Sequence, residues 1–169
     1  MKLEQVAIVT PNDWIDLFDQ RNLRDLLDLK LTRCSGITNK VLETISRNCA
    51  LLQHLNLDLN SNVTEISNLQ YLHSLKALKL KFAKDISPDE WISLFSNKNL
   101  EDLKELELIK CEGITNEVID LMALNCSFLE SLFLCITTPP SSVEDQSLIF
   151  LMKNCRNIQK LSLKGLGKE

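Results

Sequence analysis

The stretch from Leu103 to Leu134, LKELELIKCEGITNEVIDLMALNCSFLESLFL, decides the fold. Leu106 and Leu108 alternate with charged residues, and this alternation predicts a short strand with one buried face. Ile119 and Met122 follow at helical spacing in a run without glycine or proline, which predicts a helix. The leucine alternation then returns 26 residues after it began. The stretch therefore contains one strand and one helix of a repeating unit.

The same unit recurs along the whole chain. Its openings are Leu26, Leu52, Leu75, Leu103, Leu129 and Ile158, at intervals of 26, 23, 28, 26 and 29 residues. A strand and a helix at this period are typical of leucine-rich repeats. We therefore predict an α/β fold, a right-handed leucine-rich-repeat solenoid with a parallel sheet on its concave face and helices on its convex face. Residues 1–169 are expected to form a single domain of about six repeats.

A longer period of 77 residues relates the two halves of the chain. It aligns Trp14 with Trp91, Cys34-Ser-Gly-Ile-Thr-Asn with Cys111-Glu-Gly-Ile-Thr-Asn, and Asn48-Cys49 with Asn125-Cys126. This many aligned identities indicates that three repeats were copied as a block. The same shift aligns the first three residues with Leu78–Leu80, so we expect the chain to start inside a strand with its first repeat truncated.

Helix starts are marked by hydroxyl residues. We expect four of them to accept hydrogen bonds from backbone N–H groups as helix caps: Thr10, Thr38, Ser87 and Thr115. Trp14 and Trp91 lie within the first turns of two of these helices. They could be binding anchors, but this position favours packing. In the shortest repeat, residues 66–72 are expected to form a brief helix or a 3₁₀ turn.

The composition excludes several classes of protein. A net charge of −4, with a pI near 5.3, argues against nucleic-acid binding, which usually requires a basic stripe. No apolar run approaches the roughly 20 residues of a membrane span, and no signal peptide precedes the repeats. The six cysteines include no C-x-x-C pair, so we interpret them as buried reduced thiols rather than disulfides or metal ligands. A cytoplasmic or nuclear location without cofactors is expected.

Residues between the strand leucines should point away from the core, onto the concave face. The candidate partner-binding residues on this face are His54, Lys79, Lys81, Glu105, Glu107, Ile109, Phe133 and Cys135. Ile109, Phe133 and Cys135 should lie side by side as an apolar patch in a charged surface, which is typical of a site for a protein partner. The alternative is that the loop containing Pro139-Pro140, or sequence from elsewhere, covers them.

Catalytic arrangements are weak in this sequence. His54 and His73 lie in different registers, and no motif ties a serine or cysteine to either. Glu105 and Glu107 share a face and could act as a carboxylate pair. Lys79 and Lys81 should lie one strand away, however, so salt bridges explain these acids more simply. We predict that the chain is not an enzyme.

The pattern Leu-x-x-Leu-x-Leu-x-x-Cys-x-Gly-Ile-Thr-Asn, followed by Asn-Cys-x-x-Leu, resembles the cysteine-containing leucine-rich repeats of F-box proteins. It covers Leu26–Leu52 and Leu103–Leu129 closely and the rest of the chain loosely. The resemblance implies substrate recognition for a cullin–RING ubiquitin ligase. In that family a separate F-box binds the Skp adaptor, and no F-box segment is visible here, so the ligase would be reached only through a missing F-box. The alternatives are a regulator of an enzyme, of the GTPase-activating type, and a structural subunit of an assembly.

Overall fold

The computed structural model describes residues 1–4, 10–19, 23–136 and 143–165. Within them the strands are β1 (Lys2–Glu4), β2 (Asp28–Thr32), β3 (His54–Asp58), β4 (Ala77–Lys81), β5 (Glu105–Cys111), β6 (Ser131–Ile136) and β7 (Lys160–Lys164). The α-helices are α1 (Pro11–Asp19), α2 (Asn39–Asn48), α3 (Pro88–Phe95), α4 (Asn116–Asn125) and α5 (Asp145–Asn154). Two 3₁₀ helices cover Ser67–Tyr71 and Lys98–Leu100.

The strands form one parallel sheet in which each strand pairs with the next along the chain, in the order β1 to β7. The register aligns equivalent leucines in rows, so that Leu55 lies opposite Leu78, and Leu106 lies opposite Leu78 and Leu132. Parallel neighbours need a crossover connection, and a helix or a 3₁₀ segment supplies it between the described strands. The predicted α/β class and parallel sheet are confirmed.

One hydrophobic core lies between the leucine side of the sheet and the helices. It contains the leucines of β2 to β6 together with buried helix residues such as Ile45, Trp91 and Met122. The leucines of β7 differ, because Leu161 is 42% exposed and Leu163 is only partly buried. The prediction that every strand leucine is buried is wrong there, since no helix follows β7 in the described ranges. No helix of those ranges has the length and apolar character needed to cross a membrane.

The 77-residue period reappears as duplicated hydrogen bonds. The indole Nε1 of Trp14 donates to the carbonyl of Ser35 at 2.8 Å, and that of Trp91 donates to the carbonyl of Glu112 at 2.8 Å. Both indoles are 1% exposed or less. Each tryptophan therefore links the start of a helix to the turn that follows the next strand. Because both side chains are buried, neither is available to a partner, and the packing interpretation is confirmed.

The predicted caps are only partly correct. The Thr10 hydroxyl accepts from the N–H of Asp13 at 3.3 Å, and Asp13 accepts from the N–H of Thr10 at 2.8 Å, which is a capping box. Thr115 accepts from a helix N–H at 3.4 Å. Ser87 and Thr38, in contrast, make no capping bond through their side chains, so the prediction is wrong for both.

Carboxylate and amide side chains near these helix starts instead bond to the adjacent repeat. The Glu90 carboxylate, which would have completed a capping box with Ser87, accepts from the N–H groups of Ile66 and Ser67 at 2.8 and 2.9 Å. Those two residues begin the 3₁₀ helix of the preceding repeat, which confirms the predicted short return segment. Glu90 therefore caps a neighbouring element rather than its own helix.

Candidate functional site

The face of the sheet opposite the leucines is here named the outer sheet face. Its residues lie in three rows that run across the strands. The first row is Asp28, His54, Ala77, Glu105, Ser131 and Lys160. The middle row is Lys30, Asn56, Lys79, Glu107, Phe133 and Ser162. The last row, at the carboxyl ends of the strands, continues from Asp58 through Lys81, Ile109, Cys135 and Lys164. All eight predicted partner-binding residues lie in these rows.

A depression of about 270 Å³ lies across the first and middle rows. Ala77 forms its floor, because this short side chain stands where neighbouring strands carry His54 and Glu105. His54 is half exposed, and its Nδ1 lies 3.8 Å from a carboxylate oxygen of Asp28. His54 is thus an accessible surface residue beside an acid.

The two glutamates of β5 share one lysine. The Nζ of Lys79 lies 3.2 Å from Glu107 and 3.7 Å from Glu105. The predicted salt bridges are therefore confirmed for Lys79. They are wrong for Lys81, because the register places this residue between Asp58 and Ile109 rather than opposite a glutamate.

The apolar patch consists of Ile109, Phe133 and Cys135. Ile109 lies directly opposite Cys135, and Phe133 precedes Cys135 by two residues on the same face of β6. The predicted side-by-side arrangement is confirmed. All three are partly exposed, and the Nζ of Lys164 lies 5.5 Å from the centre of the Phe133 ring. The loop containing Pro139-Pro140, the alternative cover, lies outside the described residues.

Two residues at the strand ends were not predicted as part of this site. Phe82 follows β4 with φ at +61°, is 38% exposed, and donates its N–H to the carbonyl of Ile109 at 2.8 Å. The Nζ of Lys110, whose φ is +53°, lies 5.5 Å from the centre of its ring. An exposed phenylalanine in the left-handed region is unusual. The alternation of the strand predicts that residue 82 points inward, so its exposure becomes evident only from the backbone conformation.

Burial keeps four of the cysteine thiols in the protonated form. Burial raises the pKa of the thiols of Cys111 and Cys126 to about 12, and that of the thiols of Cys49 and Cys155 to about 11. Such thiols stay protonated at neutral pH, so they are poor nucleophiles and poor metal ligands. Cys135 is the exception, since it is partly exposed in the apolar patch. No group of histidine, cysteine or acidic residues that could hold a metal occurs in the described part of the chain.

Comparison with known proteins identifies a similar fold. No family model matches the chain. A chain from the crystal structure of the Rad7 and Elc1 complex in yeast is similar, with a TM-score of 0.65 and 22% sequence identity. The similarity covers 93% of this chain and 46% of that chain, so this chain spans less than half the length of its structural neighbour. At this level of identity the comparison supports the fold.

Proposed function

We propose that this chain is a leucine-rich-repeat module that binds a protein on its outer sheet face, and that it supplies the substrate-recognition repeats of an F-box-type ubiquitin-ligase receptor. The observation that carries the proposal is the apolar patch of Ile109, Phe133 and Cys135. It lies on a sheet face whose other residues named above are polar apart from the buried Ala77, and the helices pack on the opposite side of the sheet. Partly exposed apolar groups that touch one another and are surrounded by charge are typical of protein interfaces.

The repeat architecture supports this assignment. Each of the repeats adds one strand to the sheet in chain order, and the leucine rows join neighbouring repeats into one core. Stacking of this kind produces a solenoid whose contacts are made mainly between neighbours. In a right-handed solenoid with helices on the convex side, the outer sheet face is the concave face, which such proteins use for extended binding surfaces.

The ligase assignment rests on the resemblance of two repeats. The Cys-x-Gly-Ile-Thr-Asn turns and the Asn-Cys helix ends match the F-box family pattern, and they occupy equivalent places in the fold. The neighbour of similar fold is itself a chain from a two-protein complex. Under this proposal the partner is a protein rather than a nucleic acid or a membrane, the chain is not an enzyme, and it works in the cytoplasm or nucleus.

The binding half of the proposal is tested with one substitution and a matched control. Phe133→Glu places a carboxylate in the apolar patch. Phe128→Glu makes the same change at a phenylalanine that is 52% exposed in the turn before β6, outside the patch. The proposal is supported if the wild-type chain and the Phe128→Glu variant capture the same proteins and the Phe133→Glu variant does not. Equal capture by all three chains would contradict it, provided that their melting curves coincide.

A second variant uses the internal duplication as a template. The residues 77 positions before the patch are Thr32, Asn56 and Asp58, and they occupy equivalent strand positions. The combined change Ile109→Thr, Phe133→Asn and Cys135→Asp therefore inserts side chains that this sheet already carries. We expect it to abolish capture while the chain stays folded.

The ligase half requires the full-length gene product. We expect a Skp-type adaptor and a cullin to co-purify with it. We also expect the captured proteins to lose ubiquitin in the Phe133→Glu variant. Stimulated GTP hydrolysis by a captured GTPase would instead indicate an enzyme regulator. Co-purification at fixed stoichiometry without any ubiquitin effect would indicate a structural subunit.

A further inference from the structure

Lysines flank the apolar patch at the carboxyl ends of the strands. Lys81 and Lys164 lie in the last row on either side of Ile109 and Cys135. Neither lysine, nor Lys110 at the end of β5, forms an ion pair within the ranges that the structure describes. The chain as a whole carries a net charge of −4. This end of the outer sheet face is therefore locally basic on an acidic protein.

Aromatic rings hold two of these lysines in place. The Nζ of Lys164 lies 5.5 Å from the centre of the Phe133 ring, and the Nζ of Lys110 lies at the same distance from the Phe82 ring. The aromatic face attracts each ammonium group but does not neutralise it. An incoming carboxylate would thus meet an ammonium group at Lys164 that is already positioned, which lowers the entropy cost of forming that ion pair.

Two acids lie near these lysines, and each has at least one oxygen engaged. Glu107, beside Phe133 in the middle row, pairs with Lys79 at 3.2 Å. Asp58, beside Lys81, accepts a hydrogen bond from the backbone N–H of Arg33 at 3.2 Å through one of its oxygens. On the β3 side of the patch, the Asp58 carboxylate reduces the positive potential around Lys81. On the β7 side, Lys164 adds a positive charge.

We propose that the apolar patch, together with Lys81 and Lys164, recognises an extended acidic segment of a partner protein in which two acidic residues flank an apolar one. This inference rests on the proposed function and names the chemistry of its partner. Three strand intervals separate Lys81 from Lys164, which corresponds to roughly 14 Å at about 4.8 Å per strand. An extended peptide rises about 3.3 Å per residue, so roughly four positions span that distance. The segment is therefore of the type acidic-x-apolar-x-acidic, with the apolar residue on Ile109, Phe133 and Cys135 and a carboxylate near each lysine.

The test uses synthetic peptides and the full chain. Three peptides with identical Gly-Ser flanks carry the centres Glu-Ala-Phe-Ala-Glu, Lys-Ala-Phe-Ala-Lys and Glu-Ala-Ser-Ala-Glu. Backbone amide shifts of Ile109 and Cys135 report binding. We expect saturable binding of the first peptide, with affinity that falls as salt rises. The second and third should bind about tenfold more weakly, because one meets like charges and the other lacks the anchor.

Charge reversal in the protein provides the sharper experiment. The double variant Lys81→Glu and Lys164→Glu should reverse the preference, so that it binds the lysine-flanked peptide better than the glutamate-flanked one. Lys153→Glu, on the exposed side of α5, is the control and should bind like the wild type. A double variant that keeps the original preference would overturn the inference, and so would shifts confined to the first row.

Failure of this inference can be distinguished from failure of the proposed function. If Phe133→Glu releases the captured proteins but the acidic peptide does not bind, the acidic segment is wrong and the interaction module stands. If the acidic peptide binds as described but Phe133→Glu releases no protein, the proposed function fails instead.

Discussion

Loss of the Asn125 side chain should weaken the stacking of two repeats. Asn125 ends α4, and its Nδ2 donates at 2.8 Å to the carbonyl of Phe95, the last residue of α3. The last carbonyls of a helix have no partner within that helix. In Asn125→Ala this partly buried carbonyl would lose its donor, at a cost of about 1–3 kcal/mol. For a chain of this size, 2 kcal/mol corresponds to a fall in melting temperature of roughly 4–8 °C.

The chain contains a matched control for this substitution. Asn154 occupies the equivalent position at the end of α5, but its Nδ2 donates to the exposed carbonyl of Phe150 within the same helix. Asn154→Ala makes the same chemical change and brings the same gain in helix propensity. Since water can replace an exposed hydrogen bond, we expect a loss within about 0.5 kcal/mol. The difference between the two variants therefore isolates the bond between repeats.

Urea denaturation monitored by circular dichroism measures both variants. The free energies are compared only if the dependence on urea is unchanged, which indicates that the same surface is exposed on unfolding. Amide exchange adds a local test, because Asn125→Ala should reduce protection in α3 as well as in α4. Equal losses for Asn125→Ala and Asn154→Ala would refute the reasoning, and so would unchanged protection of α3.

Further substitutions probe the turn, the core and the buried thiols. Gly113→Ala should cost at least about 2 kcal/mol in urea denaturation, since φ is +78° and the new Cβ would lie 2.5 Å from the carbonyl oxygen of Ile86. Leu108→Asp should unfold neighbouring repeats, whereas Leu161→Asp, at a position already 42% exposed, should shift the melting curve far less. The pKa of the Cys126 thiol is raised from 9.0 to about 12, so the unfolded state loses this proton first and stability falls as pH rises from about 9 to about 12. Between pH 9 and pH 10 this loss should be smaller by roughly 1 kcal/mol in Cys126→Ala, and an unchanged pH dependence would contradict this.

Strand positions were predictable from sequence because they depend on a local pattern. Leu106 and Leu108 must both face the core, so the residues between and beside them must face outward whatever their chemistry. The register follows once every unit contributes one strand in order. Ile109 and Cys135 could therefore be placed opposite each other without coordinates.

Polar contacts between repeats could not be predicted in the same way. Glu90 follows Ser87 at the spacing of a capping box, yet its carboxylate caps a 3₁₀ helix of another repeat. Asn39 similarly accepts from the N–H groups of Thr64 and Glu65 at 2.9 and 3.2 Å. The choice between a local and a distant donor depends on how closely two repeats approach, and the sequence of one repeat does not contain that distance.

The left-handed backbone conformation at the strand ends also could not be predicted from the local sequence. Arg33, Phe82 and Lys110 all have φ between +53° and +61°, and none is a glycine or an asparagine. Arg33 and Lys110 are 77 residues apart, so the conformation belongs to the fold of the repeat rather than to a particular side chain. Once the backbone fixes this turn, Phe82 is turned toward solvent, beside the patch.

Comparison of the two duplicated blocks distinguishes the residues that stacking of the repeats requires from the residues that have changed on the outer sheet face. Across the shift from β2 and β3 to β5 and β6, all four strand leucines are kept, and the tryptophan and asparagine hydrogen bonds are repeated atom for atom. Over the same shift every outward residue changes, including the replacement of Asn56 by Phe133 and of Asp58 by Cys135. Stability alone gives no reason to place apolar groups where water reaches them. Two copies of one scaffold thus differ on the face turned away from the described helices, which is the difference expected if only the second copy binds a partner through an apolar patch.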